Sequence, residues 1–281
     1  METAVWGERV RVKDPISVIT VTRGRLALLH RAMASVQAQD YRGEIEHLIV
    51  VDDDEATVRG LAPRPSVPGR SHSVYDVRRP ASDDGVRSVY PRLARLLNVG
   101  IHRAASPWIA FLDDDNEFES DHLSSLRRFA DATGCGAVHS ARQMLWPDGS
   151  PYLEQRFPGP GSDSEQARIY RLLCDRGVCE PGSHVVRDRV DAGATEYRNS
   201  TVIQTSDPVM LVDQNLWLIR RELLLRTPIP EEFTDQNVAD HTCPDDLMVE
   251  ALVRAGVEIS TNGRPSVRYY LGGISNQVRR D

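Results

Sequence analysis

A chain of 281 residues with 40% hydrophobic and 27% charged side chains has the composition of an ordinary globular protein and is long enough to bury a full core as one large domain or two small ones. Its formal net charge of −7 argues against a nucleic-acid binder, which carries a basic footprint. No apolar run reaches the ~20 residues needed to span a bilayer, and the N-terminal stretch lacks the apolar centre of a signal peptide, so a cytoplasmic location is expected.

The run Ile16-Ser17-Val18-Ile19-Thr20-Val21-Thr22 reads as a strand that ends in Arg23-Gly24-Arg25, and the spacing of Leu26, Leu29, Met33 and Val36 predicts a helix after it. A second apolar run, Glu46 to Val51, breaks into Asp52-Asp53-Asp54. Strand, helix and strand within about fifty residues predict a βαβ unit and a parallel sheet. Ala62 to Arg70 is too rich in proline for a regular element. A strand over Ser73 to Val77 follows, then a helix from about Val86 to His102 with apolar positions at Val89, Leu93, Leu96 and Leu97, which presents Arg87 near its start and Asn98 near its end.

The sharpest feature comes next. Trp108 to Leu112 is an apolar strand that ends abruptly in Asp113-Asp114-Asp115-Asn116, ahead of a helix beginning near Ser120. Alternation along a strand would let Asp113 and Asp115 share one face while Asp114 points the other way. Such a pair suits Mg²⁺ or Mn²⁺, which prefer oxygen ligands and fill their remaining positions with water and substrate phosphates. Parallel sheets bind ligands outside the carboxyl ends of their strands, so Thr22, Asp53 and Asp113 to Asp115 are expected to line one crevice.

Residues 147 to 200 carry proline and glycine too densely for a continuous sheet, with one short helix expected from Ser164 to Asp175. An irregular stretch of this length is usually functional or mobile. Farther on, Asp240-His241-Thr242-Cys243-Pro244-Asp245-Asp246 precedes an amphipathic helix through Leu247, Val249, Ala251, Leu252 and Val253 to Gly256. Capping and the helix dipole account for proline and two acids at a helix start, so a chemical role there competes with a structural one. The four cysteines, Cys135, Cys174, Cys179 and Cys243, form no Cys-x-x-Cys pair, and reduced thiols are expected rather than a zinc site or disulfides.

In this order, Ile-Ser-Val-Ile-Thr-Val-Thr, Ile-Val-Val-Asp-Asp, Leu-Asn-Val-Gly (residues 97 to 100) and Ile-Ala-Phe-Leu-Asp-Asp-Asp resemble the nucleotide-sugar-binding half of family 2 glycosyltransferases with the GT-A fold. The resemblance covers residues 14 to 140 and continues more weakly to about 272. It implies an α/β GT-A fold, with a Rossmann-like, mostly parallel sheet flanked by helices and a smaller acceptor-side region. One domain over residues 1 to 281 is expected, with 14 to 140 as the nucleotide-sugar half and 141 to 281 as the acceptor half. The implied activity is metal-dependent, inverting transfer of a sugar from a nucleoside-diphosphate sugar, a UDP-sugar by first choice, to a hydroxyl acceptor.

By the same resemblance, Asp115 binds Mn²⁺ or Mg²⁺ with Asp113, and Asp113 and Asp114 hold the ribose side or position the metal. Val21, Thr22, Arg23 and Asp53 meet the nucleobase, uracil before thymine or guanine, and Arg87 helps bind the donor diphosphate. The middle region would form the acceptor side or a lid; an exposed insertion with no substrate contact is the alternative. The general base, counted back from Gly256, falls on Asp245, with Pro244 where relatives have glutamate and Asp246 as the alternative. Arg23-Gly24 stands where relatives often have Tyr-Asn. The late histidine of relatives is missing from Tyr269 to Ser275, and His241 would replace it only if its loop folded back.

Two other readings stand beside this one. A sugar nucleotidyltransferase would show a longer glycine-rich first loop than Thr22-Arg23-Gly24-Arg25, and a non-catalytic nucleotide-sugar-binding subunit would not need an intact acidic triplet. Donor sugar, acceptor and self-association into a homodimer are left open.

Overall fold

The computed structural model describes residues 14–61, 67–80, 89–159, 161–197, 203–204 and 206–273. The first fifty residues fold as their pattern predicts. β1 (Ile16–Thr22) leads through α1 (Leu26–Gln37) to β2 (Ile45–Asp52), and the two strands pair in parallel from Ile16↔Ile45 to Thr22↔Val51. Both are nearly continuous apolar runs because both faces of the sheet are covered. A short α2 (Glu55–Gly60) follows, capped by the Asp54 side chain, and β3 (Arg70–Val77) pairs in parallel with β2.

α3 (Val89–Arg103) packs on β1 and β2, and two residues of the Leu-Asn-Val-Gly motif explain how. A Cβ on Gly100 would lie 2.6 Å from Ile19 Cγ2, so only glycine lets the helix approach β1 this closely. Asn98, buried, donates to the carbonyl of Ile229 at 2.8 Å and to Glu231 at 2.9 Å, and accepts from Ile229 N at 3.1 Å, which ties the helix to a segment 131 residues away. The expected start of this helix at Val86 lies outside the described residues.

β4 (Trp108–Phe111) pairs in parallel with β1. Beyond the acidic triplet come β5 (Glu117–Phe118), α4 (His122–Thr133) and β6 (Ala137–Leu145). α5 (Asp163–Asp175), opened by a Ser162–Glu165 capping box, and the two-residue strands β7 (Val185–Val186), β8 (Arg189–Val190) and β9 (Met210–Leu211) make up most of the regular structure of the middle region. The region builds its own apolar cluster, with Trp146, Tyr152, Ile169, Tyr170, Leu172, Leu173 and Val178 packed around Met144 and Tyr269 of the main sheet. The chain then forms β10 (Trp217–Arg220), α6 (Arg221–Arg226), α7 (Asp235–Ala239), α8 (Pro244–Arg254) and β11 (Ile259–Tyr270).

The main sheet runs in the order β3-β2-β1-β4-β10-β6-β11-β5, with β7 on β6. β10 is antiparallel to both β4 and β6, while β11 is parallel to β6. β1, β2, β3, β4, β6 and β11 therefore share one direction. Residues that precede β10 consequently lie at the same edge as residues that follow β1, β2 and β4. The core beneath that edge is closed to solvent, with Trp108, Trp217, Phe111, Leu112, Leu216 and Leu218 at most 1% exposed. The four cysteines form no disulfide with one another. Among the described residues no helix is long and apolar enough to cross a membrane.

Candidate active site

The acidic triplet sits at the carboxyl edge of the sheet, with Asp114 fully buried between the partly exposed Asp113 and Asp115. The strand ends at Phe111 and the chain turns, with Asn116 N–H donating to the Asp113 carbonyl at 3.3 Å, yet burial still alternates from Asp113 to Glu117. Asp113 faces the segment before β10. Its carboxylate accepts from Asn215 Nδ2 at 2.8 Å, Gln214 Nε2 at 3.1 Å and Asn116 Nδ2 at 3.4 Å, and its N–H donates to Asn215 Oδ1 at 2.6 Å. Asp114, fully buried, accepts from the Thr22 hydroxyl at 2.6 Å and from the Arg25 guanidinium. Asp115 accepts from Arg25 through Oδ2 at 2.7 Å. Asp114 and Asp115 thus share Arg25, while Asp113 is held by the segment before β10.

Burial and charge act on two of these carboxylates. Burial raises the Asp114 carboxyl to about 6, against the lowering pull of Arg25 and Thr22. Burial, followed by the charges of Asp115 and Asp213, holds Asp113 well above the ordinary carboxylate range, and the Asn215 bond only partly opposes them. Carboxylates that resist ionisation together are relieved by an added positive charge.

A second group of charges, which sequence reasoning did not single out, completes the edge. Arg142, on β6, is buried between Asp213, at 2.5 Å, and Asp188, at 3.0 Å, and its guanidinium lies 4.8 Å from the centre of the Tyr269 ring. Asp213 also accepts from Asn215 N at 3.0 Å and from Asn215 Nδ2 at 2.7 Å. One amide nitrogen, Asn215 Nδ2, therefore bonds both Asp113 and Asp213 and joins the two acidic groups. Burial lifts Asp188 to about 7 despite Arg142.

The two acids at the start of α8 reach the same region, since Asp213 and Arg142 both act on them electrostatically. Their commitments differ. Asp246 accepts from Cys243 N–H at 2.8 Å as a helix cap and takes a hydrogen bond from Tyr197; burial nevertheless lifts it to about 7. Asp245 is raised well above the usual range, by burial first and then by the Asp246 and Asp213 charges, with Arg142 opposing. Cys243, Asp245 and Asp246 each place one ligand atom within 4.8 Å of the others, the one such trio among the described residues.

On the nucleobase side, Thr22 is 2% exposed and gives its hydroxyl to Asp114, while Val21 is partly open and Arg23 is exposed. Asp53 takes a left-handed backbone (φ 49°) and meets Arg78 at 3.2 Å. Its neighbour Asp52 is buried between Arg79 and Arg92. Arg87 lies outside the described residues. His241 is exposed in a left-handed conformation (φ 52°). The segment that lacks the late histidine does reach the triplet: a Cβ on Gly273 would lie 3.2 Å from Asp115 Oδ2. The donors at this edge are hard carboxylate oxygens, the class that Mg²⁺ and Mn²⁺ prefer.

An open α/β sheet of this order, with acids gathered at the carboxyl edge of its parallel strands, defines the GT-A class. The model described as glycosyl transferase family 2 matches residues 17–188, and the chain belongs to that family. Staphylococcus aureus TarS resembles the chain with a TM-score of 0.51 at 15% identity, over 92% of this chain and 37% of that one. The structure of TarS 1–349 in complex with UDP gives 0.53 at 15% identity over 92% and 60% of the two chains, and the complex with UDP-GlcNAc gives 0.53 at 14% over 95% and 61%. The chain thus spans less than two thirds of the length of these proteins, and the likeness is one of fold. No curated protein matches the chain.

Proposed function

We propose that the chain is a metal-dependent glycosyltransferase that binds a nucleoside-diphosphate sugar at this edge and passes the sugar to a hydroxyl acceptor in one inverting displacement. The observation that carries the reading is the meeting, at one sheet edge, of the Asp113–Asp115 turn, Asp213 and the Asp245–Asp246 pair. Residues 14 to 140 would form the donor half and residues 141 to 281 the acceptor half.

Asp115, with Asp113 beside it, would hold Mn²⁺ or Mg²⁺; when bound, the ion would neutralise negative charge developing on the leaving diphosphate. Asn215, Gln214 and Asn116 hold Asp113, while Thr22 and Arg25 hold Asp114. Asp245 is the base that takes the acceptor proton, because Asp246 is already engaged by Cys243 and Tyr197. General-base catalysis of this kind contributes about 10²–10⁴-fold. Val21 and Asp53 would meet the base, with Arg87 on the diphosphate. Complexes of TarS with UDP and UDP-GlcNAc support a uridine donor.

A thermal-shift panel of UDP, dTDP and GDP, each with Mn²⁺, tests the reading. The largest stabilisation is expected from UDP with Mn²⁺, since a ligand bound only by the native state raises the melting temperature. No shift with any nucleotide would count against a nucleotide-sugar donor.

A further inference from the structure

The acidic triplet already carries a cation of the protein's own. Arg25 precedes α1 and spans two carboxylates: Nε lies 3.2 Å from Asp114 Oδ2, NH2 meets Asp114 Oδ1, and NH1 lies 2.7 Å from Asp115 Oδ2. A planar guanidinium suits this two-sided grip, which a single ammonium cannot copy. The backbone around it is anchored: the Arg25 carbonyl accepts from Leu29 N–H at 3.0 Å, and Gly24 N–H donates to Thr57 Oγ1 at 3.2 Å.

The two carboxylates differ in what else holds them. Asp114 is fully buried and also takes the Thr22 hydroxyl, so it cannot follow a departing arginine. The Asp115 backbone is pinned, because its carbonyl accepts from Arg31 at 2.7 Å. Its carboxylate is held by Arg25 and lies close to Gly273, where a Cβ would come within 3.2 Å of Oδ2. Arg25 itself is 36% exposed, which leaves its guanidinium a solvent-side path away from Asp115.

The geometry points to Arg25 as a tethered competitor for the divalent ion. It occupies the Asp115 carboxylate when no ion is bound and must leave for the ion to bind. The ion's affinity therefore stays low until a donor diphosphate supplies oxygens to complete its shell and a new partner for the guanidinium. Ion and nucleotide would then load together, with no ion resident in the free protein. The inference rests on the metal dependence proposed above.

Titration of Mn²⁺ by electron paramagnetic resonance, with and without UDP, tests it on the wild type, Arg25→Gln and Arg25→Lys. Without nucleotide, Arg25→Gln should bind Mn²⁺ roughly two- to fivefold more tightly than wild type, the fold-change expected from one partly exposed charge pair. Arg25→Lys should fall between the two, and UDP should narrow or reverse the difference. Far-UV circular dichroism checks folding, and if Arg25→Gln does not fold, Arg25→Lys still reports the direction. If wild type takes up Mn²⁺ with UDP but neither variant binds nucleotide-free Mn²⁺ more tightly than wild type, the competition is wrong and the metal reading survives. If no protein takes up Mn²⁺ even with UDP, the metal reading fails and the competition with it.

Discussion

Asn215→Ala is the most informative single perturbation of the acidic edge. The Asn215 side chain is fully buried and makes three bonds: it accepts from Asp113 N–H at 2.6 Å, and its Nδ2 donates to Asp113 at 2.8 Å and to Asp213 at 2.7 Å. Alanine leaves the Asp113 N–H without that acceptor, at about 1–3 kcal/mol, and takes one charge-assisted donor from each of two carboxylates. Asp113 keeps Gln214 and Asn116, and Asp213 keeps Arg142, so the losses are partial and the total is about 3 kcal/mol. At roughly 2–4 °C per kcal/mol for a chain of this size, the melting temperature should fall by about 6–12 °C. Calorimetric unfolding measures the fall. Asn215→Asp serves as a control that keeps the shape but replaces the donor with a further acid. Its deficit should exceed that of Asn215→Ala at pH 8 and shrink towards pH 5, where the new carboxyl can keep its proton and donate. An unchanged melting temperature in Asn215→Ala would refute the view that this amide holds the two acidic groups together.

Three further outcomes follow from the same geometry. Asp245→Asn should lower turnover by about 10² or more while leaving Mn²⁺-dependent UDP binding intact, whereas Asp246→Asn, which can still accept from Cys243 N–H, should be mild; steady-state kinetics beside calorimetry would show the register to be off by one if the two exchanged roles. Burial raises Asp188 to about 7 in the folded chain, against about 3.9 unfolded, so the native state holds a proton that the unfolded state lacks. Stability from this group is therefore fully present below the unfolded value and lost as pH rises from about 4 to 7, by at most ~1.4 kcal/mol per pH unit. Melting temperatures of Asp188→Asn should decline less steeply across that window than those of wild type, and parallel curves would contradict it. Gly273→Ala places a methyl 3.2 Å from Asp115 Oδ2 and should weaken Mn²⁺-dependent UDP binding several-fold with little change in melting temperature.

Much of this architecture is visible in local pattern. β1, β2 and β4 are apolar runs with abrupt polar ends, and the helix starts at Ser162 and Cys243 are marked by acids three residues on. Alternation also separated the buried Asp114 from the partly exposed Asp113 and Asp115. What the pattern missed is topological. Strand-end reasoning looks after each strand, yet β10 runs against its neighbours, so Asp213, Gln214 and Asn215 reach the edge by preceding a strand. A signal for them existed, since Val209 to Val212 breaks into Asp213-Gln214-Asn215 much as Leu112 breaks into Asp113. Arg142 and Asp188 carried no such signal. An arginine within a strand shows its purpose only once partners 46 and 71 residues away are folded against it.

The claim on which the account depends is that the Asp113–Asp115 turn binds a donor diphosphate through a divalent ion. Isothermal titration of UDP into the wild type with Mn²⁺, into the wild type with EDTA, and into Asp115→Ala with Mn²⁺ measures it directly. The account predicts binding in the first titration and a loss of about tenfold or more, some 1.4 kcal/mol, in the other two. Equal UDP affinity in all three would contradict it.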